Sequence, residues 1–107
     1  ELGTLTDWRY AQGLAWTYVE VRKYGYYRAY QQMRQKGLTK PIIEEALEEY
    51  SEGTYERLYE LVERKYLRYL DGEKGDIKVK NALVRLGYSY DIIKEVLADI
   101  KQEYGDE

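Results

Sequence analysis

Apolar side chains recur every three or four residues along most of the chain, which is the spacing of one face of an α-helix. Glycines and polar residues interrupt this pattern and divide it into six segments. Pro41 stands in the first turn of the third segment, where its missing N–H costs little. The predicted helices are residues 7–22, residues 27–36 and a helix from Thr39, then residues 52–70, a short helix from Asp76 to the glycine at 87, and a last helix from Ser89.

The same periodicity assigns one side of each helix to a core. In the two short helices it places Met33 and Leu83 inward. A chain that contains no phenylalanine must use tyrosine as its general core aromatic, with the hydroxyl reaching water. The other positions predicted to face inward include Trp8, Tyr18, Val19, Tyr27 and Tyr30 in the first half, and Leu58, Leu61, Val62, Tyr66, Tyr69 and Ile77 in the second half.

The second half of the chain repeats the first at a spacing of 50 residues. Gly37 and Gly87 stand where a left-handed residue closes a helix, and the following Leu38 or Tyr88 is placed to pack back on the last turn. The sequence therefore predicts an all-α protein of two tandem three-helix repeats, residues 1–50 and 51–107, that form an elongated, curved array. Identical pairs include Gly37/Gly87, Ile42/Ile92, Ile43/Ile93, Glu45/Glu95 and Leu47/Leu97.

Composition limits the chemistry that this chain can perform. It contains no cysteine and no histidine, so thiolate nucleophiles, disulfides, the usual general base and the commonest metal ligand are all missing. The glycines form neither a phosphate-binding loop nor a dinucleotide fingerprint. These absences favour a non-catalytic binding protein with no cofactor and no metal. The carboxylate pairs Glu44/Glu48 and Glu45/Glu49 leave open an enzyme that works with carboxylates alone.

The hydropathy of the chain argues against a membrane protein. No stretch approaches the roughly 18 uninterrupted apolar residues that a membrane span needs, and the mean hydropathy is −0.77. No basic and then apolar signal stands at the amino terminus. We therefore expect a soluble intracellular protein without a membrane partner.

The formal net charge of −3 hides a strong alternation of charge along the chain. Residues 6–40 hold seven lysines and arginines against two acidic residues, and residues 64–85 hold seven against three. Residues 41–63 and 86–107 are acidic. The end of each long helix and its short partner are therefore basic. We predict a partner-binding basic stripe that consists of Arg22, Lys23, Arg28, Arg34 and Lys36 in the first repeat, and of Arg64, Arg68, Lys78, Lys80 and Arg85 in the second.

Three interpretations of the basic stripe stay open. Its repeated spacing suits a partner that itself repeats, such as a filament. It also suits nucleic acid, because affinity for DNA comes largely from neutralised phosphates. The third interpretation is an ordinary solvated surface, with cations near helix C-termini for dipole reasons. A helix-turn-helix that reads DNA with its third helix is disfavoured, because that helix would repel phosphate with Glu44, Glu45, Glu48 and Glu49.

Tyrosines and cations are interleaved between residues 24 and 30. Proteins that bind single strands use such an arrangement to stack bases on aromatic rings. Tyr27 and Tyr30 fall on the predicted inner face, so we assign them to the core. Tyr24 and Tyr26 flank the turn before the second helix and are the candidates for contact with a partner.

Three segments of the chain resemble motifs of the RecX family, the regulators of the recombinase RecA. Residues 3–11 read GTLTDWRYA, which is similar to the glycine-aromatic-leucine-acidic-acidic motif that begins the second repeat of the family. Residues 36–38 read KGL and, with Ile43 and Leu47 after them, resemble the close of that repeat. Residues 85–93 read RLGYSYDII, which resembles the glycine-aromatic-x-aromatic signature near the carboxyl end of the family.

The resemblance implies more than the periodicity can. Family members have three repeats, so we expect this chain to be a fragment that lacks most of the first repeat. Family members also tend to be basic, and the net charge of −3 departs from that pattern. The resemblance implies a cytoplasmic protein that lies along the RecA–DNA filament and inhibits the RecA ATPase and strand exchange in recombination, DNA repair and the SOS response. We expect a monomer. The alternative is a helical module that binds single- or double-stranded DNA through the basic stripe without RecA.

Overall fold

Six α-helices make up most of what the computed structural model describes, which is residues 5–72 and 74–105. Within these ranges the chain forms helices and turns and no strand, which confirms the all-α prediction. The first two residues of the family motif, at positions 3 and 4, lie outside the described residues. The helices are α1 (Leu5–Trp16), α2 (Tyr26–Gln35), α3 (Lys40–Glu48), α4 (Thr54–Leu61), α5 (Gly75–Arg85) and α6 (Tyr90–Tyr104).

The first helix of each repeat does not keep α-helical geometry to its end. α1 continues as a π-helical turn over Thr17–Val21, and α4 continues as a π-helical turn over Val62–Tyr66 and a 3-10 turn over Leu67–Asp71. The prediction that both long helices are uninterrupted α-helices is therefore wrong for the second part of each. Because π and 3-10 turns hold different numbers of residues from an α turn, the side chains after them leave the predicted register. Tyr69, which was expected to face inward, is 52% exposed for this reason.

Both short helices end in the left-handed glycine that the sequence predicts. Gly37 has a φ of +94° and Gly87 a φ of +101°. At the end of α2, the N–H of Leu38 donates to the carbonyl of Met33 over 3.3 Å. The N–H of Gly37 donates to the carbonyl of Arg34 over 2.9 Å, and an equivalent pair of bonds closes α5. This is the Schellman arrangement, so the same backbone chemistry terminates both helices.

Each repeat buries a core of its own. Met33 and Leu83, which lie 50 residues apart, are both fully buried, as predicted. Trp8, Tyr30 and Tyr66 pack against the cores while remaining partly exposed. The first core contains Ala11, Ala15, Tyr18, Val19, Ala29, Met33, Leu38, Ile42, Ile43, Ala46 and Leu47, and the second contains Leu58, Leu61, Val62, Val79, Leu83, Tyr88, Ile93, Val96, Leu97 and Ile100.

Two further residues predicted to face inward, besides Tyr69, lie on the surface instead. Tyr27 is 64% exposed and Ile77 is 56% exposed. They hold equivalent positions in the two repeats, each two residues before a buried one, Ala29 or Val79. Because two residues turn a helix by about 200°, the burial of Ala29 and Val79 sends Tyr27 and Ile77 to the opposite side. The prediction for both was therefore wrong for one shared reason.

The two repeats lie in line and form an elongated molecule. The Cα atoms extend over 57 × 20 × 20 Å, which agrees with the predicted tandem array. In the described part of the chain, none of the helices has the length and apolar character that crossing a membrane requires.

Candidate binding surface

The two repeats meet where the N-terminus of α2 abuts the C-terminus of α5. The N–H of Gly25 donates to the carbonyl of Leu86 over 2.7 Å. The N–H of Tyr27 donates to the carbonyl of Gly87 over 3.2 Å. The first N–H groups and the last carbonyls of a helix have no partner inside the helix, so each helix end satisfies the other. The two short helices are thereby joined end to end.

Glycine is required on both sides of this junction. A Cβ atom at Gly25 would lie 2.5 Å from the carbonyl carbon of Gly87. A Cβ atom at Gly87 would lie 2.4 Å from the backbone nitrogen of Arg28. Both distances are far shorter than van der Waals contact, so either side chain would push the two helices apart. Sequence reasoning identified Gly87 as a helix terminator but did not identify it as a contact between repeats.

Two side chains reach across the junction and hold it closed. The hydroxyl of Tyr88 donates to the carbonyl of Lys23 over 2.7 Å. Burial of this hydroxyl raises the pKa of Tyr88 to about 12. Nη1 of Arg28 donates to the carbonyl of Arg85 over 3.4 Å, and the guanidinium carbon lies 5.0 Å from the centroid of the Tyr24 ring. Arg28 is therefore part of the junction itself, in addition to being a predicted binding residue.

The joined helices α5 and α2 carry one part of the predicted basic stripe. Lys78 and Arg85 are exposed and seven residues apart on α5, which places them on the same side of that helix. Arg28 holds on α2 the position that Lys78 holds on α5. We call Lys78, Arg85 and Arg28 the α5–α2 surface. Arg34 and Lys36 are exposed at the far end of α2.

Other members of the basic stripe lie apart from this surface. Lys80 is two residues from Lys78 and so about 200° around α5, with its ammonium 5.8 Å from the centroid of the Tyr90 ring. Arg64 and Arg68 follow α4, and Arg64 makes an exposed ion pair of 3.1 Å within its own helical segment. The structure therefore does not unite the ten cations in one row. Lys23, Arg28 and Lys80 are partly buried, whereas Arg22, Arg34, Lys36, Arg64, Arg68, Lys78 and Arg85 are exposed.

The two candidate tyrosines have different surroundings. Tyr24 is partly buried and stacks on Tyr18 with the ring centroids 5.6 Å apart. Burial raises the pKa of Tyr24, but the guanidinium groups of Arg22 and Arg28 beside it outweigh burial and hold this pKa below its ordinary value. Tyr26 is 46% exposed. Partial burial and the Glu44 carboxylate raise the pKa of Tyr26, so this ring lies beside an acidic helix rather than among cations.

A second feature, a groove of about 960 Å³, lies beside the end of α6 in the second repeat. We call it the distal groove. Sequence reasoning singled out Arg64 and Arg68 but did not connect them with the other residues that line it. The segment RKYLRY at 64–69, in which cations and tyrosines alternate, is the signal that could have found it. The charged and aromatic lining residues are Arg64, Lys65, Arg68, Lys101, Glu63, Asp71, Tyr66, Tyr69 and Tyr104.

The four glutamates that form the carboxylate pairs of the third helix lie at the surface. Glu44, Glu45, Glu48 and Glu49 are all exposed on α3 or immediately after it. Among the described residues, no group of three or more aspartates, glutamates, histidines or cysteines is placed to hold a metal ion.

Comparison with protein families identifies both repeats. The model of the second three-helix domain of RecX matches residues 7–47, and the model of the third three-helix domain of RecX matches residues 52–97. Each match coincides with one repeat of the structure, and together the two matches span most of the chain. No curated protein and no solved structure matches the chain significantly.

Proposed function

The chain belongs to the RecX family, with the second and third three-helix domains of that family, and we propose that it binds the RecA–DNA filament and inhibits RecA. In this proposal it is a non-catalytic regulator that lowers the ATPase and strand-exchange activities of RecA in recombination and DNA repair. It acts as a monomer in the cytoplasm.

The observation that carries this proposal is the end-to-end junction of α5 and α2. Two backbone hydrogen bonds and two close-packed glycines join the repeats at this point. In this proposal the junction keeps Lys78, Arg85 and Arg28 at a constant separation. A binding partner that repeats along its axis, as a filament does, is matched by cations held at a constant separation. Complementary charge of this kind sets orientation and association rate more than it sets affinity.

The experiment that tests the proposal is a titration of RecA ATPase on preassembled filaments. Rising amounts of the chain are added to RecA that already covers single-stranded DNA, and the rate of ATP hydrolysis is recorded. We expect inhibition that does not change when bare duplex DNA is added afterwards. Inhibition that extra duplex DNA relieves would instead support the alternative function, in which the chain binds nucleic acid and competes with RecA for it.

A matched pair of variants tests the α5–α2 surface. Lys78→Glu/Arg85→Glu reverses two exposed cations on one side of α5, and we expect it to inhibit RecA more weakly than the parent chain. Lys40→Glu/Lys94→Glu makes the same change in net charge on α3 and α6, outside the basic stripe, and we expect it to inhibit normally. Equal inhibition by both variants would remove the α5–α2 surface from the proposal. No inhibition by the parent chain would overturn the proposal itself.

A further inference from the structure

Part of the distal groove is lined by the equivalents of residues that line a cavity at the junction. Val19 and Tyr50 of the first repeat, and Ser51 and Thr54 at the start of the second, line this cavity of about 230 Å³. At the spacing of 50 residues their counterparts all line the distal groove. These counterparts, in the same order, are Tyr69, Ile100, Lys101 and Tyr104.

The second repeat contributes side chains to the cavity at the junction. Arg57 and Tyr88, which both come from the second repeat, line the junction cavity. Nη2 of Arg57 donates to the carbonyl of Tyr50 over 2.6 Å, and its guanidinium carbon lies 5.8 Å from the centroid of the Tyr50 ring. Within the described residues, no comparable pair from another unit enters the distal groove.

The lining has changed in a way that disfavours another repeat of the same kind. Ser51 and Thr54, both uncharged, are replaced by Lys101 and Tyr104 in the distal groove. Four cations, Arg64, Lys65, Arg68 and Lys101, line the groove together with the carboxylates of Glu63 and Asp71. Arg64 makes an ion pair with Glu60 and Lys101 makes one with Asp76, so Lys65 and Arg68 are the exposed lining cations outside these two pairs. A residue like Arg57 that entered there would meet those two cations, which suit an anionic partner instead.

Tyrosine rings at the groove indicate what kind of anion fits. Tyr69 is 52% exposed and Tyr104 is 49% exposed. The rings of Tyr66 and Tyr69 have their centroids 6.3 Å apart, and the guanidinium carbon of Arg68 lies 5.3 Å from the Tyr69 centroid. The hydroxyl of Tyr104 donates to the carboxylate of Glu63, which holds that ring in place. An acidic peptide needs the cations but offers few flat groups to these rings, whereas each nucleotide supplies both a phosphate and a base.

We propose that the distal groove binds single-stranded nucleic acid, with cations on the phosphates and tyrosine rings stacked on the bases. Grooves that combine positive charge with exposed aromatic rings bind single strands with little sequence preference. This site is separate from the α5–α2 surface, and it does not depend on binding to RecA.

The first test is a titration of the isotope-labelled chain with a 15-nucleotide oligo(dT), without RecA, followed by amide chemical shifts in NMR. We expect the largest shifts at residues 64–71 and 101–105, with smaller ones elsewhere. Shifts confined to α2 and the junction would overturn the proposal. So would groove shifts caused by an oligo-glutamate peptide and not by oligo(dT), because the groove would then take an acidic protein segment.

A charge-reversal pair measures the electrostatic part of the interaction. In Lys65→Glu/Arg68→Glu the groove loses two phosphate contacts, so the slope of log affinity against log salt should become shallower by about 1.4. Lys40→Glu/Lys94→Glu has the same net charge and should retain the parent slope. Equal slopes for the two variants would contradict the assignment to the groove.

A tyrosine variant measures the stacking part. We expect Tyr69→Leu to weaken oligo(dT) binding by about fivefold or more and to leave the binding of inorganic polyphosphate unchanged. An equal loss for both ligands would mean that the ring supports the fold and does not stack on bases. The inhibition of preassembled RecA filaments by Lys65→Glu/Arg68→Glu is measured in parallel to separate the two proposals. If the groove proposal fails, filament inhibition is still expected. If filament inhibition fails, binding of oligo(dT) by the groove is still expected.

Discussion

The two repeats share their helix order and helix ends, but they differ in what covers equivalent surfaces. In the first repeat, the cavity at the junction, beside Val19 and Tyr50, is also lined by Arg57 and Tyr88 of the second repeat. In the second repeat, the counterparts of four residues that line this cavity line the distal groove. The comparison teaches that a tandem array creates different surfaces from one fold, because equivalent positions of the two repeats carry different side chains.

The largest effect that we expect comes from the two helix-ending glycines. Gly87 is covered by the backbone of Arg28. At Gly37, by contrast, no described atom other than those of its own chain neighbours lies within 4 Å of a Cβ. Both positions have a left-handed φ, so alanine costs about 1–2 kcal/mol at either. At Gly87 the clash with α2 adds about 1–3 kcal/mol more. Urea unfolding should therefore show a clearly larger loss for Gly87→Ala than for Gly37→Ala, and equal losses would contradict the close junction.

The next effect concerns the side chain that the second repeat inserts into the first. In Arg57→Leu the carbonyl of Tyr50 loses its charged donor, and we expect unfolding free energy to fall by about 1–2 kcal/mol. Arg64→Leu is the control, because its ion pair is exposed and should contribute about 0.5 kcal/mol or less. Urea unfolding measures both variants. A loss at Arg57 no greater than at Arg64 would show that the insertion does not stabilise the array.

A third difference between the repeats is a set of tyrosine–carboxylate hydrogen bonds between α4 and α6. The hydroxyl of Tyr55 donates to Asp99 and that of Tyr59 donates to Glu103. The first repeat has Leu5 and Arg9 at the equivalent positions, so it lacks these donors. The bond to Asp99 raises the pKa of Tyr55 to about 12, and the bond to Glu103 raises the pKa of Tyr59 as well.

These shifts predict a dependence on alkaline pH. A folded-state pKa above the ordinary value of 10.0 means that the fold favours the protonated phenol. The stabilisation is complete below pH 10 and is lost as the pH rises towards 12, because ionised tyrosine cannot donate to a carboxylate. Urea unfolding between pH 9 and 12 should therefore show a steeper loss in the parent chain than in Tyr55→Phe/Tyr59→Phe. Parallel curves would show that the bonds do not contribute in solution.

The smallest effect is expected at a glycine whose backbone conformation and surroundings do not require glycine. Gly13 is exposed inside α1, and no described atom outside its own helical surroundings lies within 4 Å of its Cβ position. Alanine should raise the free energy of unfolding by up to about 1 kcal/mol, because glycine is the poorer helix former. Thermal unfolding measures the gain. A loss on Gly13→Ala would indicate a close contact at this position after all.

Local signals in the sequence predicted most of the fold. The 3.6-residue period located the six helices and fully buried residues such as Met33 and Leu83, since burial on one helix face leaves a direct trace in the sequence. The left-handed ends at Gly37 and Gly87 were also predictable, because few residues other than glycine adopt that conformation. Tyr27 and Ile77 were misplaced because an apolar residue at the edge of a stripe fits either side of the helix.

The candidate surfaces were less accessible to sequence reasoning, because they depend on contacts between distant residues. The junction joins Gly25 to Gly87 over a separation of 62 residues, and no local pattern marks such a pair. The distal groove combines the segment after α4 with the end of α6, and the turns that replace α-helix at 62–71 set its shape. The cations of the basic stripe were identified by type and region, but their grouping required the packing of the repeats.

The most direct test of the central claim is the inhibition of preassembled RecA filaments by Gly25→Ala. This variant keeps every cation, and Gly25 has an ordinary φ of −79°, so the substitution acts through the clash with the backbone of Gly87 and Tyr88. Circular dichroism establishes that both repeats stay helical, and Gly37→Ala serves as the matched glycine control. We predict that Gly25→Ala inhibits RecA much more weakly than Gly37→Ala, because the two helices no longer hold their cations in line. Equal inhibition by the two folded variants would contradict the claim that the junction sets the binding surface.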